Sequence, residues 1–474
     1  MYNIMHLTQH DLITGGTAMA IIIVALLGIE LLVKFKLIGQ LGGRKLLHIA
    51  AISSCAWAIG QFENRSLLAF IFLAFFVILL VLIQKRWMQV NEYRSYGIAL
   101  FPLAFSCLLF IPGLDQQLIA YAAWILGICD AMAGITGVYF GKKKIIFLYE
   151  HKSWTGFFTF FIMALLVNGI FFHDLSVNGI MLCLLLSLVP ALTELFSYRG
   201  SDNFSVPVIA ALWASLLLQG QPSDWQMLLL TTCIFISLAW FAVYKKWLTV
   251  AGAAAACWMA MWLYATGKEL AFIAPGIFLI TGSLLSKLNK PVHEKEGRSA
   301  IQVFANGITG IIYMMLFGML HQPIFLLVAL ISFTISMTDS VSSELGYFFK
   351  GATYDICSFK KCAPGLSGGI SISGSLCGLA AAGVLAAIIG YFYHLPIKTL
   401  LLITAGGFAG MIMDSILGSL LQIKYLNKNG QLSDFSDSGA KMVKGLSWVN
   451  NDAVNLLSNI LTSLIFYYII VRSV

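Results

Sequence analysis

The chain has 474 residues, 59% of them hydrophobic and only 11% charged, with a formal net charge of +8 and a mean hydropathy of +0.88. Soluble globular domains carry about 25% charged residues, so a soluble enzyme is excluded. No basic, aromatic-studded soluble segment is present, so the positive charge is not a sign of nucleic-acid binding.

Apolar runs of bilayer-spanning length recur along the chain. In order, spans are expected at 13–33, 46–61, 66–84, 97–113, 116–139, 155–172, 177–197, 204–219, 226–244, 248–266, 269–286, 301–319, 323–341, 366–392, 399–420 and 453–471. The first has no basic region ahead of it and no small-residue cleavage site after it, and reads as a retained helix rather than a signal peptide. With the N-terminus outside, every one of the 29 Lys and Arg residues except Arg65, Lys268, Lys398 and Arg472 falls on the inner side, the bias of the positive-inside rule. The expected fold is therefore an all-α polytopic membrane protein of about 16 transmembrane helices with both termini outside. Two helical bundles are expected, residues 1–221 and 222–474, divided at the polar stretch "LQGQPSDWQ" around Pro222. The nine cysteines lie mostly in apolar runs. Cys357 and Cys362 share a loop without paired histidines, so neither a zinc site nor a disulfide framework is expected.

The polar residues of the first bundle form three groups. "GGRKLLH" carries Arg44 and His48. "DAMAGITGVYFGKKK" and "HKSWTG" carry Asp130, Gly134, Gly137, Gly141, Lys142, Lys152, Ser153 and Gly156. "ELFSYRGSDNFSVP" carries Glu194, Asp202, Asn203 and Pro207. An ionisable group inside a span is costly and points to function. The spaced small residues either let helices pack closely or let backbone amides approach a phosphate. Carboxylates that hold magnesium, next to cations that neutralise phosphate oxygens, suit a nucleotide. Lys143 and Lys144 read first as inner-face markers.

These three groups, in this order, resemble the dolichol kinase and phytol kinase family over roughly residues 40–215. The resemblance implies a membrane enzyme that phosphorylates a polyprenyl or phytyl alcohol with CTP as donor. It implies that Asp130 binds magnesium or orients the hydroxyl, with Glu194 and Asp202 as further metal ligands. Lys142 and Lys152 would hold donor phosphates, with Arg44, His48, Gly134, Gly141, Ser153, Gly156 and Asn203 around the nucleotide. Trp154 and Thr155 stand where relatives often carry an acidic residue.

The second bundle is richer in such residues. "NKPVHEKEGRSAIQVFANG" leads with Arg298 into a helix carrying Gln302 and Asn306, which share a face four residues apart. "TDSVSSELG" places Asp339 and Glu344 at an inner helix end. "KKCAPGLSGGISISG" is a glycine- and serine-rich loop with Lys361, Gly365, Ser367, Gly368 and Gly369, a composition that forms anion nests and also plain turns. "GMIMDSILGSLLQ" buries Asp414, and "WVNNDAVN" adds Asn451, Asp452 and Asn455. Asp339, Glu344, Asp414 and Asp452 are candidate magnesium ligands. Gln302, Asn306, Asn451 and Asn455 are candidate substrate contacts or interhelical hydrogen-bond glue. These motifs resemble a large membrane family that includes plant phytyl-phosphate kinase, over about 225–474, with "SMT" ahead of Asp339 as a mild departure.

Taken together, the halves read as a fusion for isoprenoid salvage. The first would convert a prenol of the phytol, geranylgeraniol or farnesol class to its monophosphate. The second would convert the monophosphate to the prenyl diphosphate, with Mg²⁺ and CTP or ATP. The expected setting is a bacterial inner membrane or its equivalent, with the sites facing the cytoplasm. There is no GxxxxGK[ST] loop. The alternative readings are a carrier of prenyl phosphates or anions, which usually binds near the midplane, and a chain with only one active half.

Overall fold

The structure, a computed structural model, describes residues 8–84, 95–142, 144–147, 150–174, 176–198, 200–288, 297–349, 351–426, 432–434 and 441–473. Several of the basic residues used for topology, among them Lys85, Arg86, Arg94, Lys143 and Arg199, lie outside the described residues.

The chain forms two compact units, Met1–Leu230 and Thr231–Val474. The first holds α1 (Gln9–Lys34), α2 (Gln40–Gln61), α3 (Arg65–Gln84), α4 (Ser95–Phe110), α5 (Gln116–Trp124), a π-helical turn (Ile125–Asp130) and α6 (Ala131–Phe140). A hairpin of β1 (Lys144–Phe147) and β2 (Glu150–Ser153) follows, then α7 (Trp154–Phe172), α8 (Val177–Phe196) and α9 (Asp202–Leu218). The division falls inside α10 (Pro222–Tyr244), later than the expected 221/222.

The second unit continues with α11 (Val250–Gly267), a 3₁₀ turn (Lys268–Phe272), α12 (Ile273–Leu288), α13 (Ala300–Leu320) and α14 (Pro323–Phe348). Then come β3 (Tyr354–Asp355), β4 (Gly369–Ile370), α15 (Ile372–Tyr393) and α16 (Ile397–Leu420). The small sheet β5 (Lys424–Leu426), β6 (Leu432–Ser433) and β7 (Lys441–Lys444) precedes α17 (Asn451–Ser473).

Each expected span overlaps a helix, and among the described residues length and hydropathy qualify twelve helical stretches against the sixteen expected. The physical reasons are local. At 16 and 17 residues, α4 and α9 are short for a crossing. The first turns of α2 carry Arg44, Lys45 and His48. α11 and α12 run together through the 3₁₀ turn as one stretch, Val250–Leu285. The span expected from 366 starts at Ile372 instead. Gly365 and Gly368 sit at φ +84° and +85°, which is incompatible with a right-handed helix. Ser371 then caps α15 by accepting from the Gly374 N–H at 3.1 Å.

Burial separates central from peripheral helices. In α8, α14 and the α5–α6 stretch 72% of the most apolar window is buried, against 6% in α1 and 17% in α10. The outward faces of α1, α3 and α10 instead expose large apolar side chains such as Val24, Ile78 and Trp240, as lipid-facing helices do. α14 is the hub of the second unit, packed against α12, α13, α15, α16 and α17. A fully buried amide ties three of them together. Asn459 on α17 accepts from Ser332 Oγ at 2.7 Å and donates to the Ser332 carbonyl and to Ser336 Oγ at 3.1 and 3.0 Å, and Ser336 Oγ donates to the Asn306 carbonyl of α13 at 2.6 Å.

Arg65, outside in the expected topology, has a structural use. Its guanidinium donates to the carbonyls of Leu108, Leu109, Ile111 and Leu114, closing the end of α4 and the turn that follows. Leu109 lies in the last turn of α4, where carbonyls lack intrahelical partners, while Leu108 also accepts the Ile111 N–H at 3.1 Å. Arg65→Ala is expected to lower unfolding stability by about 1–2 kcal/mol, since water replaces only part of this set. Thermal melts in detergent check it, with an unchanged melt as the contrary result.

Candidate functional site

Residues from all three polar groups of the first unit meet at one cavity of about 710 Å³. The π-helical turn ends on Asp130 and is buried. Such turns re-aim side chains and are frequent at functional sites. α2 supplies Lys45, whose Nζ donates to Asp130 Oδ2 at 3.0 Å, and His48, whose Nε2 lies 3.5 Å from the same oxygen. From the hairpin and α8 come Lys152 and Glu194, paired at 2.6 Å. α9 begins at Asp202, which interacts electrostatically with Lys152, Glu194 and Asp130 and accepts the Asn203 N–H at 2.9 Å. Burial opposes the charge on Lys152, but Glu194 and Asp202 outweigh it and hold the ammonium above the usual lysine range.

The spaced glycines serve close approach. A Cβ on Gly134 would lie 2.7 Å from Lys45 Nζ, and one on Gly137 would lie 3.0 Å from Ser153 Oγ. Ser153 in turn caps α7 by accepting from the Gly156 N–H at 3.0 Å. Arg44 and Asn203 also line the cavity. Lys142 does not. α6 ends at Phe140, and Lys142 is exposed, outside the cavity lining. Its expected place is taken by Lys45. The sequence signal was available, because Lys45 and His48 are three residues apart on one helix face.

Magnesium that rides on nucleotide phosphates needs only one or two carboxylates, at about 2.0–2.1 Å. Asp130 and Asp202 would supply them here, with Glu194 committed to Lys152. Among the described residues the His/Asp/Glu trio whose ligand atoms lie within 4.8 Å of one another is His10, Asp11 and Glu63. Its buried Asp11 is already used as a cap for the backbone N–H groups of Glu63 and Asn64. The charged groups share the cavity lining with apolar side chains, among them Leu47, Ala51, Ile98, Val138 and Phe157. Phosphoryl transfer to a greasy alcohol needs such a meeting of cations, carboxylates and hydrocarbon.

In the second unit α14, α16 and α17 bring Asp339, Asp414 and Asn455 together. Asp414 Oδ2 accepts from Ser458 Oγ at 3.1 Å. With its nitrogen turned toward α16, the Asn455 amide donates to the same oxygen at 3.1 Å and to the Asn451 carbonyl at 3.2 Å. Asp339 is near enough to Asp414 for their charges to repel. Gln302 and Asn306 both make hydrogen bonds within their own helix end. Gln302 forms a reciprocal capping box with Ser299, and Asn306 donates to the Gln302 carbonyl at 2.8 Å. Asp452 sits in the first turn of α17, where the helix dipole favours an acid, and Glu344 is half-buried near the end of α14. Arg298 packs its guanidinium over the Phe278 ring, 5.4 Å from the centroid.

The glycine loop is tied down more than its composition suggests. A Cβ on Gly368 would lie 2.6 Å from the Ser419 backbone of α16, so this glycine faces a helix rather than an open phosphate seat. Lys361 and Gly365 are exposed, and a Cβ on Gly369 would lie 3.0 Å from Cys362 Sγ. Asp355 anchors the turn ahead of it. One oxygen accepts from the Ser358 N–H and Oγ, both at 2.8 Å, and the other from Ser419 Oγ at 2.7 Å. Burial works against the Asp355 charge, yet the Ser419 and Ser358 donors prevail and bring its pKa down to about 2. A carboxylate depressed below its unfolded value of about 3.9 stabilises the fold above that value and loses the effect as pH falls toward its folded value. The stability gap between wild type and Asp355→Asn is therefore expected to shrink between about pH 4 and pH 2. Melts at constant ionic strength measure it, and a gap independent of pH there would contradict the assignment.

Residues 233–463 match the family described as integral membrane protein DUF92. The chain is 33% identical over 162 residues to an uncharacterized membrane protein, MJ0933, of Methanocaldococcus jannaschii, covering 34% of this chain and 66% of that one. It is 24% identical over 232 residues to the Arabidopsis thaliana protein VTE6, chloroplastic, covering 46% of this chain and 64% of that one. It is 31% identical over 137 residues to the Arabidopsis thaliana protein PGR, covering 26% and 48%. The chain thus spans between about half and two thirds of the length of these relatives. No solved structure matches it.

Proposed function

We propose that this integral membrane protein is a phosphotransferase of isoprenoid lipids working in two steps. The first unit transfers a phosphoryl group from a nucleoside triphosphate, CTP by the resemblance of its motifs, to a prenol hydroxyl. The second adds a phosphoryl group to the resulting monophosphate, with CTP or ATP as donor. Both sites face the cytosol in this reading, where the nucleotide is. The observation that carries it is the cavity of the first unit, where Arg44, Lys45 and Lys152 meet Asp130, Glu194 and Asp202 alongside apolar side chains. The cations suit the donor phosphates. Asp130 and Asp202 suit a magnesium ion, which when bound would neutralise charge on the transferring group. In this reading His48 and Asp130 orient the alcohol hydroxyl, with its tail along Leu47, Ala51 and Val138 of the cavity lining. For the second unit the support is the likeness to VTE6 and to the family that includes plant phytyl-phosphate kinase, together with the Asp339–Asp414 pair.

A test separates this reading from carriage. Detergent-solubilised protein, with no membrane compartments, is given geranylgeranyl monophosphate, magnesium and CTP or ATP. Diphosphate that depends on the protein and disappears on chelation supports the kinase. Absence of turnover, with restored transmembrane flux in vesicles, would establish a carrier instead.

A further inference from the structure

The Ser367 peptide in the glycine loop is held from both sides. Its N–H and its Oγ–H both donate to one oxygen of Asp434, each at 2.8 Å. Its carbonyl accepts from Lys424 Nζ at 2.7 Å, and Lys424 is only 2% exposed. A backbone amide and a hydroxyl converging on one anionic oxygen, with a buried ammonium beside them, is a donor set that phosphate oxygens also take. The carboxylate in it is a poor match. Its second oxygen is buried and has no hydrogen-bond partner among the described residues. It arrives at the end of β6, a strand of two residues paired through Leu426–Leu432 and Tyr425–Ser433. The seat is also well placed. Gly418, four residues beyond Asp414 on the same face of α16, is the residue whose Cβ would touch Ser367 Cβ, at 3.3 Å. Ser367 therefore packs against a residue that lies about 6 Å along the α16 axis from Asp414.

We propose that the Ser367 amide and hydroxyl form a receiving site for a phosphoryl oxygen, and that Asp434 fills it as an internal competitor until a phosphate displaces it. This rests on reading the second unit as one that handles phosphorylated lipid, and it adds a gate to that site. Burial pushes the Asp434 carboxyl upward against the pull of the Ser367 donors, consistent with an anion held below its best solvation. The arriving phosphate could belong to the prenyl monophosphate or to the nucleotide. Both present the same oxyanion.

The test uses the full-length protein and inorganic phosphate. Asp434→Asn is expected to bind phosphate about tenfold more tightly than wild type, and adding Ser367→Ala to that variant is expected to abolish the gain. A well-folded Asp434→Asn with wild-type affinity overturns the proposal. If the variant does not fold, hydrogen exchange on the wild type decides. Phosphate, geranyl monophosphate alone, or nucleotide alone should speed exchange at 432–434 while the Ser367 amide stays protected. The ligand that does so at the lowest concentration identifies the source, and no change with any of the three overturns the idea. None of these readouts depends on turnover. Tightened binding in a protein without kinase activity would leave the seat standing and remove the kinase reading, and the converse result would do the reverse.

Discussion

Asp130→Asn is expected to lower prenol phosphorylation by about a hundredfold or more, on the order of 3 kcal/mol of transition-state stabilisation. Prenyl-monophosphate phosphorylation should continue near the wild-type rate. Asp130 is the carboxylate on which Lys45 and His48 converge, at 3.0 and 3.5 Å. Asparagine keeps the shape and can still accept from Lys45, so the fold should survive. The charge that would hold magnesium or align the hydroxyl is lost. Lys45→Met probes the same pair from the other side. It leaves Asp130 buried with only His48 beside it, at 3.5 Å, a change that is costly for stability as well as turnover. Product analysis on melt-verified protein checks both, and near-normal monophosphate formation by Asp130→Asn would remove this residue from the mechanism.

The second large effect is expected at Asp414. Asp414→Asn and Asp339→Asn should each accumulate prenyl monophosphate from alcohol and nucleotide, with diphosphate formation down by about a hundredfold. Neighbouring carboxylates repel unless a cation lies between them. Without magnesium, either substitution should therefore leave the melting temperature unchanged or raised while activity falls. Loss of a purely structural group would lower both. A variant making diphosphate at the wild-type rate would show that this pair is not the second site. Gly368→Ala cannot serve here, because its methyl would meet the α16 backbone and unsettle the loop whatever the loop binds.

Much of this architecture was legible because lipid imposes a simple rule. Apolar runs must be helices, and ionisable groups within them stand out. Asp130 and Glu194 are visible in that way, Lys152 and Asp202 through the resemblance of their motifs, and the cavity gathers all four. Lys45 was hidden because a lysine at an inner helix end also serves topology. Only its three-residue spacing to His48 distinguishes it. The failure at Lys142 has the opposite cause. A basic residue next to a glycine run resembles a phosphate ligand, but Lys142 follows the end of α6, exposed and outside the cavity lining. The π-helical turn has no sequence signature, since it differs from an α-turn by one backbone register. The Ser332–Asn459–Ser336 network and the Asp434–Ser367–Lys424 contacts join residues far apart in sequence, at 127 and 67 residues of separation. Serines and asparagines inside apolar runs carry no pattern that names their partners. The expected span 366–392 includes the end of the glycine loop, whereas α15 begins at Ile372. The positive φ of Gly365 and Gly368 makes the difference.

The central claim is that this chain places phosphate on an isoprenoid alcohol and then on its monophosphate. The most direct measurement incubates the purified wild-type protein with magnesium, nucleotide labelled in the γ-phosphate, and phytol, geranylgeraniol or farnesol, and separates the lipid products over time. The account predicts labelled monophosphate first and diphosphate after it, with CTP serving the first step. Lipid that stays unlabelled with every alcohol and both CTP and ATP would contradict it.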